Sequence, residues 1–196
     1  MLLILPFITL KILHPKNPLT TEPIIWKPRR ILRLPQNYDD LFNRYFHREC
    51  LTCCKVPAYP LICLMCSKLI CLGDCCQTLK SLGIGAETMI TVTEMQAHAE
   101  ECSSSSGIFL SLTSSLIIIG RGNAGAIWGS VYLDSHGEED RNLKRGKPLT
   151  LSDRRFELLE RDWHQQEWQR IRHWYPFSTP LVLISCIRDA HYLVNM

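Results

Sequence analysis

The sequence contains no unbroken apolar run of about 18 residues, which is the length that a membrane-spanning helix needs. It also lacks an excess of one charge: 22 Lys and Arg residues stand against 19 Asp and Glu residues, so composition alone does not indicate a nucleic-acid partner. With 46% hydrophobic and 21% charged residues, the composition argues against wholesale disorder. The 196 residues allow one domain, with or without tails.

Several common catalytic motifs are missing as well. The glycine-containing segments at 83–85 and 120–125 lack the Walker or dinucleotide context, and neither G-x-S-x-G nor H-E-x-x-H occurs. The densest acidic cluster lies at 136–140, with the sequence HGEED. We interpret it as a solvated loop with salt bridges to Arg141, Lys144 and Arg145, in preference to an acid–base pair.

Cysteine, in contrast, is abundant and clustered: nine of the ten cysteines lie between Cys50 and Cys102. The apolar start, Met1 to Leu13, has its lysine after the apolar run and no small-residue cleavage site, which argues against a secretory signal. We expect there a buried segment or a start borrowed from a longer chain. Outside a secretory context, clustered cysteines are reduced and usually bind metal.

One set of four residues has the spacing of a zinc site. Cys63-Leu-Met-Cys66 is a C-x2-C knuckle, in which two thiolates can bind one tetrahedral zinc ion. His98 and Cys102 are four residues apart in a good helix-forming segment, so both side chains share one face. The predicted first site is Cys63, Cys66, His98 and Cys102.

A second set is possible on the same grounds. Its candidate ligands are Cys50, Cys53, Cys71 and either Cys75 or Cys76. The ligand pairs of the two sites would then interleave along the chain as a cross-brace, but the adjacent cysteines leave the register open. The alternative is that Cys54, Cys71 and one of Cys75 and Cys76 are buried apolar thiols. Closed four-ligand sites of this kind stabilise a fold and leave no open position for catalysis.

The remaining patterns predict an α+β fold, a small zinc-stabilised domain in which helices flank an antiparallel β-meander. Asn37 can cap a helix that extends through Glu49, and the segments 107–112, 115–120 and 126–134 are β-rich runs with turns at 113–114 and 123–125. A second helix is predicted over 151–174, after residues with capping-box spacing. We divide the chain into an apolar start and proline-rich arm (1–27), a zinc domain (28–177) and a tail (178–196).

Several longer motifs together resemble one known family. They are LPQNYDDLF (34–42), PLICLMCSKLICLGDCC (60–76), HAEEC (98–102), GIFL (107–110), WGSVYLDSHGEEDRNLKRGKPL (128–149) and RRFELLERDWHQ (154–165). In this combination the chain resembles the C-terminal domain of the UBR-box E3 ubiquitin ligases, the N-recognins, and within them the branch that reads YLD-x-HGEED. The resemblance covers about 28–168.

This resemblance implies a part of a larger RING-type E3 ubiquitin ligase of the N-degron pathway of protein degradation. In such enzymes a UBR box binds N-degron substrates and a RING recruits the E2 ubiquitin-conjugating enzyme. Neither is present here, and the cysteine block does not follow the ligand order of a RING. We therefore expect a fragment that is inactive alone, contacts the rest of the ligase within one molecule, uses no cysteine as nucleophile, and works in the cytoplasm, with the nucleus as an alternative.

Two other functions remain as alternatives. The knuckle followed by His-x3-Cys also resembles the zinc-finger ubiquitin-binding fold of deubiquitinases, which would suit a stand-alone zinc module that binds ubiquitin or a peptide. That fold carries Gly-Arg after its third cysteine, where this chain has Leu72-Gly73-Asp74. Nucleic-acid binding through 141–147 together with Arg170 and Arg172 is disfavoured, because acidic residues are interspersed with the basic ones.

Overall fold

The computed structural model describes residues 30–72, 76, 78–81, 89–103, 106–141, 143–168, 170–176 and 185. The helices are α1 (Tyr38–Tyr45), α2 (Glu94–Ser103) and α3 (Asp153–Gln165). The strands are β1 (Pro60–Cys63), β2 (Leu69–Cys71), β3 (Thr78–Ser81), β4 (Met89–Val92), β5 (Ser106–Ser111), β6 (Leu116–Arg121), β7 (Ala124–Ser130), β8 (Tyr132–Leu133), β9 (Thr150–Leu151) and β10 (Tyr175–Pro176). The predicted arm 1–27 and the tail 178–196, apart from residue 185, lie outside the described residues.

A six-stranded antiparallel sheet forms the centre of the fold, in the order β10-β7-β6-β5-β1-β2. The predicted α+β class and the meander β5-β6-β7 are confirmed. The sheet is wider than the meander because the hairpin β1-β2, which lies in the cysteine block, pairs with β5 through Ile62 and Leu110. Two further pairs, β3-β4 and β8-β9, form separate two-stranded sheets.

The third β-rich run is not one strand, as predicted over 126–134, but two. Strand β7 ends at Ser130, and Val131 separates it from β8, which pairs with β9 instead. The backbone N–H of Ser152 donates to the carbonyl of Val131 at 2.9 Å, so the chain leaves the large sheet at this point. The turn before β7 was also misplaced: it consists of Gly122 and Asn123, and the positive φ of 55° at Gly122 suits a residue without Cβ.

Both predicted flanking helices are shorter than the sequence suggested. Helix α1 ends at Tyr45 rather than at Glu49. Helix α3 begins at Asp153, because the predicted first residue pairs in β9, and ends at Gln165 rather than at Trp174. Its C-cap, Gln166, adopts a left-handed conformation with φ 55° and ψ 26°, which breaks the helical hydrogen-bond series. No helix in the described ranges is long and apolar enough to span a bilayer.

Each face of the large sheet packs against its own apolar cluster, so both faces are buried. On β5, Ile108 and Leu110 point to one cluster, and Phe109 between them points to the other. The first cluster is covered by α1 and α3, and the second by α2 through Met95 and Ala99. Burial on both faces explains why β5 and β6 read as continuous apolar runs without polar alternation.

The packing of α3 makes a first prediction. Leu159 is fully buried in the first cluster, so Leu159→Ala should lower the free energy of unfolding by about 2–5 kcal/mol, because it leaves a cavity. Glu157→Ala, on the exposed side of the same helix, should change it by less than about 0.5 kcal/mol. Urea denaturation of the two variants checks this, and equal losses would show that α3 does not pack as described.

Candidate metal centres

The first C-x2-C turn begins at Cys50. Its N–H donates to the carbonyl of Lys55 at 2.9 Å, and the N–H of Cys54 donates back to the carbonyl of Cys50 at 2.8 Å. Cys54 has a positive φ of 54°, which closes the turn. The N–H of Thr52 points at the sulfur of Cys50 at 3.3 Å. Such a turn directs both cysteine sulfurs to one side and supplies an N–H group that stabilises a thiolate.

The second C-x2-C turn, which joins β1 to β2, has the same hydrogen-bond pattern thirteen positions later. The N–H of Cys63 donates to the carbonyl of Lys68 at 2.9 Å, the N–H of Ser67 donates to the carbonyl of Cys63 at 2.9 Å, and Ser67 has a φ of 62°. The N–H of Met65 interacts with the sulfur of Cys63. Two turns with one geometry are an independent sign that both knuckles serve the same purpose.

The structure brings together the four residues predicted as the first site. Cys63 and Cys66 come from the β1-β2 turn, and His98 and Cys102 project from α2 onto it. The sulfurs of Cys63 and Cys102 are 4.0 Å apart, and the sulfur of Cys66 is 3.3 Å from Nε2 of His98. All four candidate ligand atoms lie within 4.8 Å of one another.

It also brings together four of the residues considered for the second site. Cys50 and Cys53 of the first knuckle meet Cys71, at the end of β2, and Cys76. The sulfurs of Cys50 and Cys76 are 3.6 Å apart, and those of Cys53 and Cys71 are 3.9 Å apart. The two sets interleave along the chain, in the order that the cross-brace hypothesis required.

The ambiguous cysteines of the sequence now have definite positions. Cys76 lies in the second set, while Cys75 and Cys186 lie outside the described residues. Cys71 belongs to the second set, and Cys54 is exposed at the end of the first knuckle. The alternative that Cys54 is a buried apolar thiol is therefore wrong, because Cys54 is exposed. Cys71 is buried, but its sulfur lies beside those of three other cysteines.

The distances in both sets fit a tetrahedral zinc ion. With Zn–S bonds of about 2.3 Å and a Zn–N bond of about 2.0 Å, neighbouring ligands are separated by about 3.8 Å for two sulfurs and about 3.5 Å for sulfur and nitrogen. The sulfur–sulfur separations of 3.6, 3.9 and 4.0 Å agree with this and exceed a disulfide bond by more than 1.5 Å. Thiolate and imidazole donors suit zinc among the common metals.

Burial sets the protonation of the first set. It lowers the pKa of His98, helped by the positive charge of Lys68, and so favours the neutral imidazole that can bind a metal. Burial also raises the pKa of the Cys63 thiol to about 12, against the opposing effect of the Met65 N–H. Without a cation this thiol stays protonated, so a thiolate there needs a metal ion for charge balance.

Sequence reasoning missed one polar residue that holds the second set in place, Glu94. It is the first residue of α2 and is only 6% exposed. Its carboxylate accepts the backbone N–H of Cys71 at 2.7 Å and the hydroxyl of Thr52 at 2.9 Å, and it approaches the sulfur of Cys50 at 3.6 Å. Glu94 thus connects the two halves of the second set. Glu94 precedes His98 by four residues, a spacing that places both side chains on one face of a helix, and this feature of the sequence could have identified it.

The acidic loop after β8 is ordered by two buried carboxylates. Asp134 accepts the N–H groups of His136 at 2.9 Å and Glu138 at 3.0 Å, and the Glu138 N–H is the main cause that lowers the pKa of Asp134 to about 2. Asp140 accepts the backbone N–H groups of residues 144 and 145 at 3.2 and 2.9 Å. These carboxylates act as turn-forming acceptors.

The predicted salt bridges of this loop are present for two of the three basic residues. Arg141 pairs with Glu139 at 3.0 Å, and Arg145 pairs with Glu138 at 2.5 Å. Glu139 is also paired with Arg155 of α3, and this guanidinium lowers its pKa in spite of burial. Glu138 and Glu139 are thus held in ion pairs with basic residues of the loop and of α3.

One family and several known proteins similar to the chain have related descriptions. The Proteolysis_6 C-terminal family matches residues 10–165. E3 ubiquitin-protein ligase ubr3 of Danio rerio is 42% identical over 153 residues, which are 77% of this chain and 8% of the relative. E3 ubiquitin-protein ligase Ubr3 of Drosophila melanogaster is 39% identical over 171 residues, which are 84% of this chain and 7% of the relative. E3 ubiquitin-protein ligase PRT6 of Arabidopsis thaliana is 31% identical over 146 residues, which are 74% of this chain and 6% of the relative. The chain spans less than a tenth of each of these relatives.

The position of Glu94 makes a second prediction. Glu94→Gln keeps the shape of the side chain but removes the charge, so the second set should bind zinc about 10–100 times more weakly, while the first set is unchanged. Titration with cobalt(II) distinguishes the two sets, because the visible spectrum depends on the number of thiolate ligands. Glu100→Gln, an exposed position on the same helix, is the matched control. Unchanged affinity in Glu94→Gln would contradict the assigned role.

Proposed function

The chain belongs to the Proteolysis_6 C-terminal family, the C-terminal domain of UBR-type E3 ubiquitin ligases, and from this membership we propose that it is the zinc-stabilised C-terminal region of a RING-type E3 ligase of the N-degron pathway. In this proposal two zinc ions cross-link the fold. One is held by Cys63, Cys66, His98 and Cys102, and the other by Cys50, Cys53, Cys71 and Cys76.

The interleaving of the two four-residue sets is the observation that carries the zinc part of the proposal. Each set joins a knuckle to a later segment of the chain, so two ions would link four stretches between residues 50 and 102. The strands concerned are only three or four residues long and cannot hold that arrangement by backbone pairing alone. Metal binding would thus contribute directly to the folding free energy.

The chemistry of the sites supports a structural role within a transferase. Four protein ligands leave no open coordination position, so neither ion would activate water or substrate. In the proposed ligase a RING elsewhere orients the E2, and the substrate lysine amine attacks the E2–ubiquitin thioester. An isopeptide bond forms, and the E2 thiol leaves. In this proposal no cysteine of the two sets acts as nucleophile, because all of them would be zinc ligands.

Ligase function would then depend on contacts between this region and the upstream UBR box and RING. Through those domains the E2 and the N-degron substrates would be the partners, and the cytoplasm, with the nucleus as an alternative, would be the place of action. The alternative function is a stand-alone zinc module that binds ubiquitin or a peptide. Of the residues that replace Gly-Arg of the deubiquitinase fold, only Leu72 is described.

Metal content gives the third prediction. Elemental mass spectrometry of the purified full chain should find two zinc ions per molecule, and Cys66→Ser should retain one. Cys54→Ser alters a cysteine that lies beside a knuckle but outside both sets, so it should retain two. A folded protein with no zinc, or a Cys54→Ser variant that loses one ion, would contradict the assignment.

Ubiquitin transfer gives the fourth prediction. With E1, E2, ATP and ubiquitin, the chain alone should form no ubiquitin chains, because no E2-binding domain is expected in it. Replacing the matching C-terminal part of zebrafish ubr3 with this chain should preserve ligase activity, and introducing Cys66→Ser into that chimaera should lower activity more than Cys54→Ser does.

The same materials separate the two functions. Activity of the chain alone would contradict the claim that the catalytic part lies elsewhere. Capture of free ubiquitin by the chain, together with an inactive chimaera, would favour the stand-alone module.

A further inference from the structure

A cleft of about 390 Å³ lies at one edge of the large sheet, far along the chain from the cysteine sets. Its floor is formed by residues 127–129 of β7. Glu139 and Arg141 also line it, together with Arg170, Arg172 and His173. We call this feature the arginine cleft.

The cleft exists because two stretches of chain separate here. Strand β10 pairs with β7 only through Tyr175 with Gly125 and Pro176 with Ala124. Before Tyr175 the chain departs from β7, and in the described part of the chain no strand pairs with the outer edge of β7 at 127–129. The floor of the cleft is therefore an unpaired sheet edge, a surface that an extended peptide can follow.

Positive charge predominates around this edge. Among the residues that line the cleft, Arg141, Arg170 and Arg172 stand against one carboxylate, that of Glu139. Glu139 is bound by both Arg141 and Arg155, and Asp162 accepts the indole N–H of Trp128 at 2.9 Å. These carboxylates are thus already engaged by groups of the protein.

Arg170 and Arg172 differ in this respect from the other basic residues nearby. Among the residues that the structure describes, neither has a carboxylate within ion-pair distance, and both are exposed. In contrast, Arg145 and Lys147 both contact Asp134, at 3.5 and 3.3 Å. The basic charge of 141–147 is largely compensated, whereas that of 170–172 is available to a ligand.

The guanidinium of Arg170 is also held in position. It lies 5.0 Å from the centroid of the Trp128 ring, and the hydrogen bond to buried Asp162 fixes that ring. A guanidinium that is stacked in advance loses less conformational entropy when it binds a carboxylate through two hydrogen bonds. Arg172 lines the same cleft and extends the positive surface there.

We infer that the arginine cleft binds an acidic peptide segment in extended conformation, whose carboxylates meet Arg170 and Arg172 while its backbone follows the edge of β7. A nucleic acid fits this surface less well. It would need a continuous basic stripe, and Arg141, Arg145 and Lys147 of the neighbouring loop are engaged with acidic side chains. The inference depends on neither zinc binding nor ligase activity.

The test uses the full chain as purified and a fluorescein-labelled peptide of alternating Glu and Ser residues. Anisotropy should show binding of this peptide, weakening as salt is raised, and no binding of the same peptide with Gln in place of Glu. The double variant Arg170→Gln/Arg172→Gln should bind at least about tenfold more weakly. The double Lys variant should be intermediate, because it keeps the charge but loses the planar fork.

Arg48→Gln is the matched control. Arg48 is likewise exposed and stacked on an aromatic ring, that of Tyr45 at 4.9 Å, but it does not line the cleft. Circular dichroism of each variant establishes that it is folded. The inference is overturned if the Glu peptide does not bind, or if the cleft variant binds it as tightly as Arg48→Gln does. It is also overturned if single-stranded RNA binds at the cleft and the Glu peptide cannot displace it.

Discussion

The packing of α2 against the large sheet is the constraint on which both candidate metal centres depend. Glu94, His98 and Cys102 follow one another at intervals of four residues, so they lie along one side of this helix. His98 and Cys102 supply half of the first set, and Glu94 binds the knuckle and the strand that form the second. A displacement of α2 would therefore disturb both sets together.

Apolar contacts hold α2 against the sheet. Met95 and Ala99 are buried against Phe109 and Ile118 on one face of the sheet. Gly107 permits this close approach, since a Cβ there would meet Ala99 at 3.1 Å and the Phe109 ring at 2.5 Å. The hydrophobic effect thus brings the ligands into place, and the proposed zinc ions would then fasten short strands that have few backbone hydrogen bonds of their own.

At the opposite edge of the sheet, buried charged groups stabilise the fold, whereas two arginines are exposed to solvent. Carboxylates that are enclosed by the acidic loop, such as Asp134 and Asp140, accept backbone N–H groups and so stabilise turns. Glu139 joins that loop to α3 through Arg155. Beyond this network the two arginines of the arginine cleft are exposed, and Arg170 lies over the Trp128 ring.

Much of this could be predicted from the sequence because it depends on local spacing. The C-x2-C spacing is typical of a tight turn, and the His-x3-Cys spacing is typical of a helix. The segments that form β5 and β6 are apolar and bounded by turns. The family resemblance rested on motifs of the same local kind. Element ends were less predictable, because a left-handed Gln166 and the pairing of β8 with β9 both overrode the apolar pattern of the segments concerned.

What the sequence alone determined, therefore, was the α+β class, the meander, the first four-residue set and the family, all of which follow from patterns within short windows. Only the tertiary structure decided that Cys76 joins Cys50, Cys53 and Cys71, that Glu94 connects them, and that Arg170 lies over Trp128. Each of these depends on contacts between residues far apart in the chain. Adjacent cysteines such as Cys75 and Cys76 have the same spacing signal, so only the packing of the folded backbone distinguishes between them.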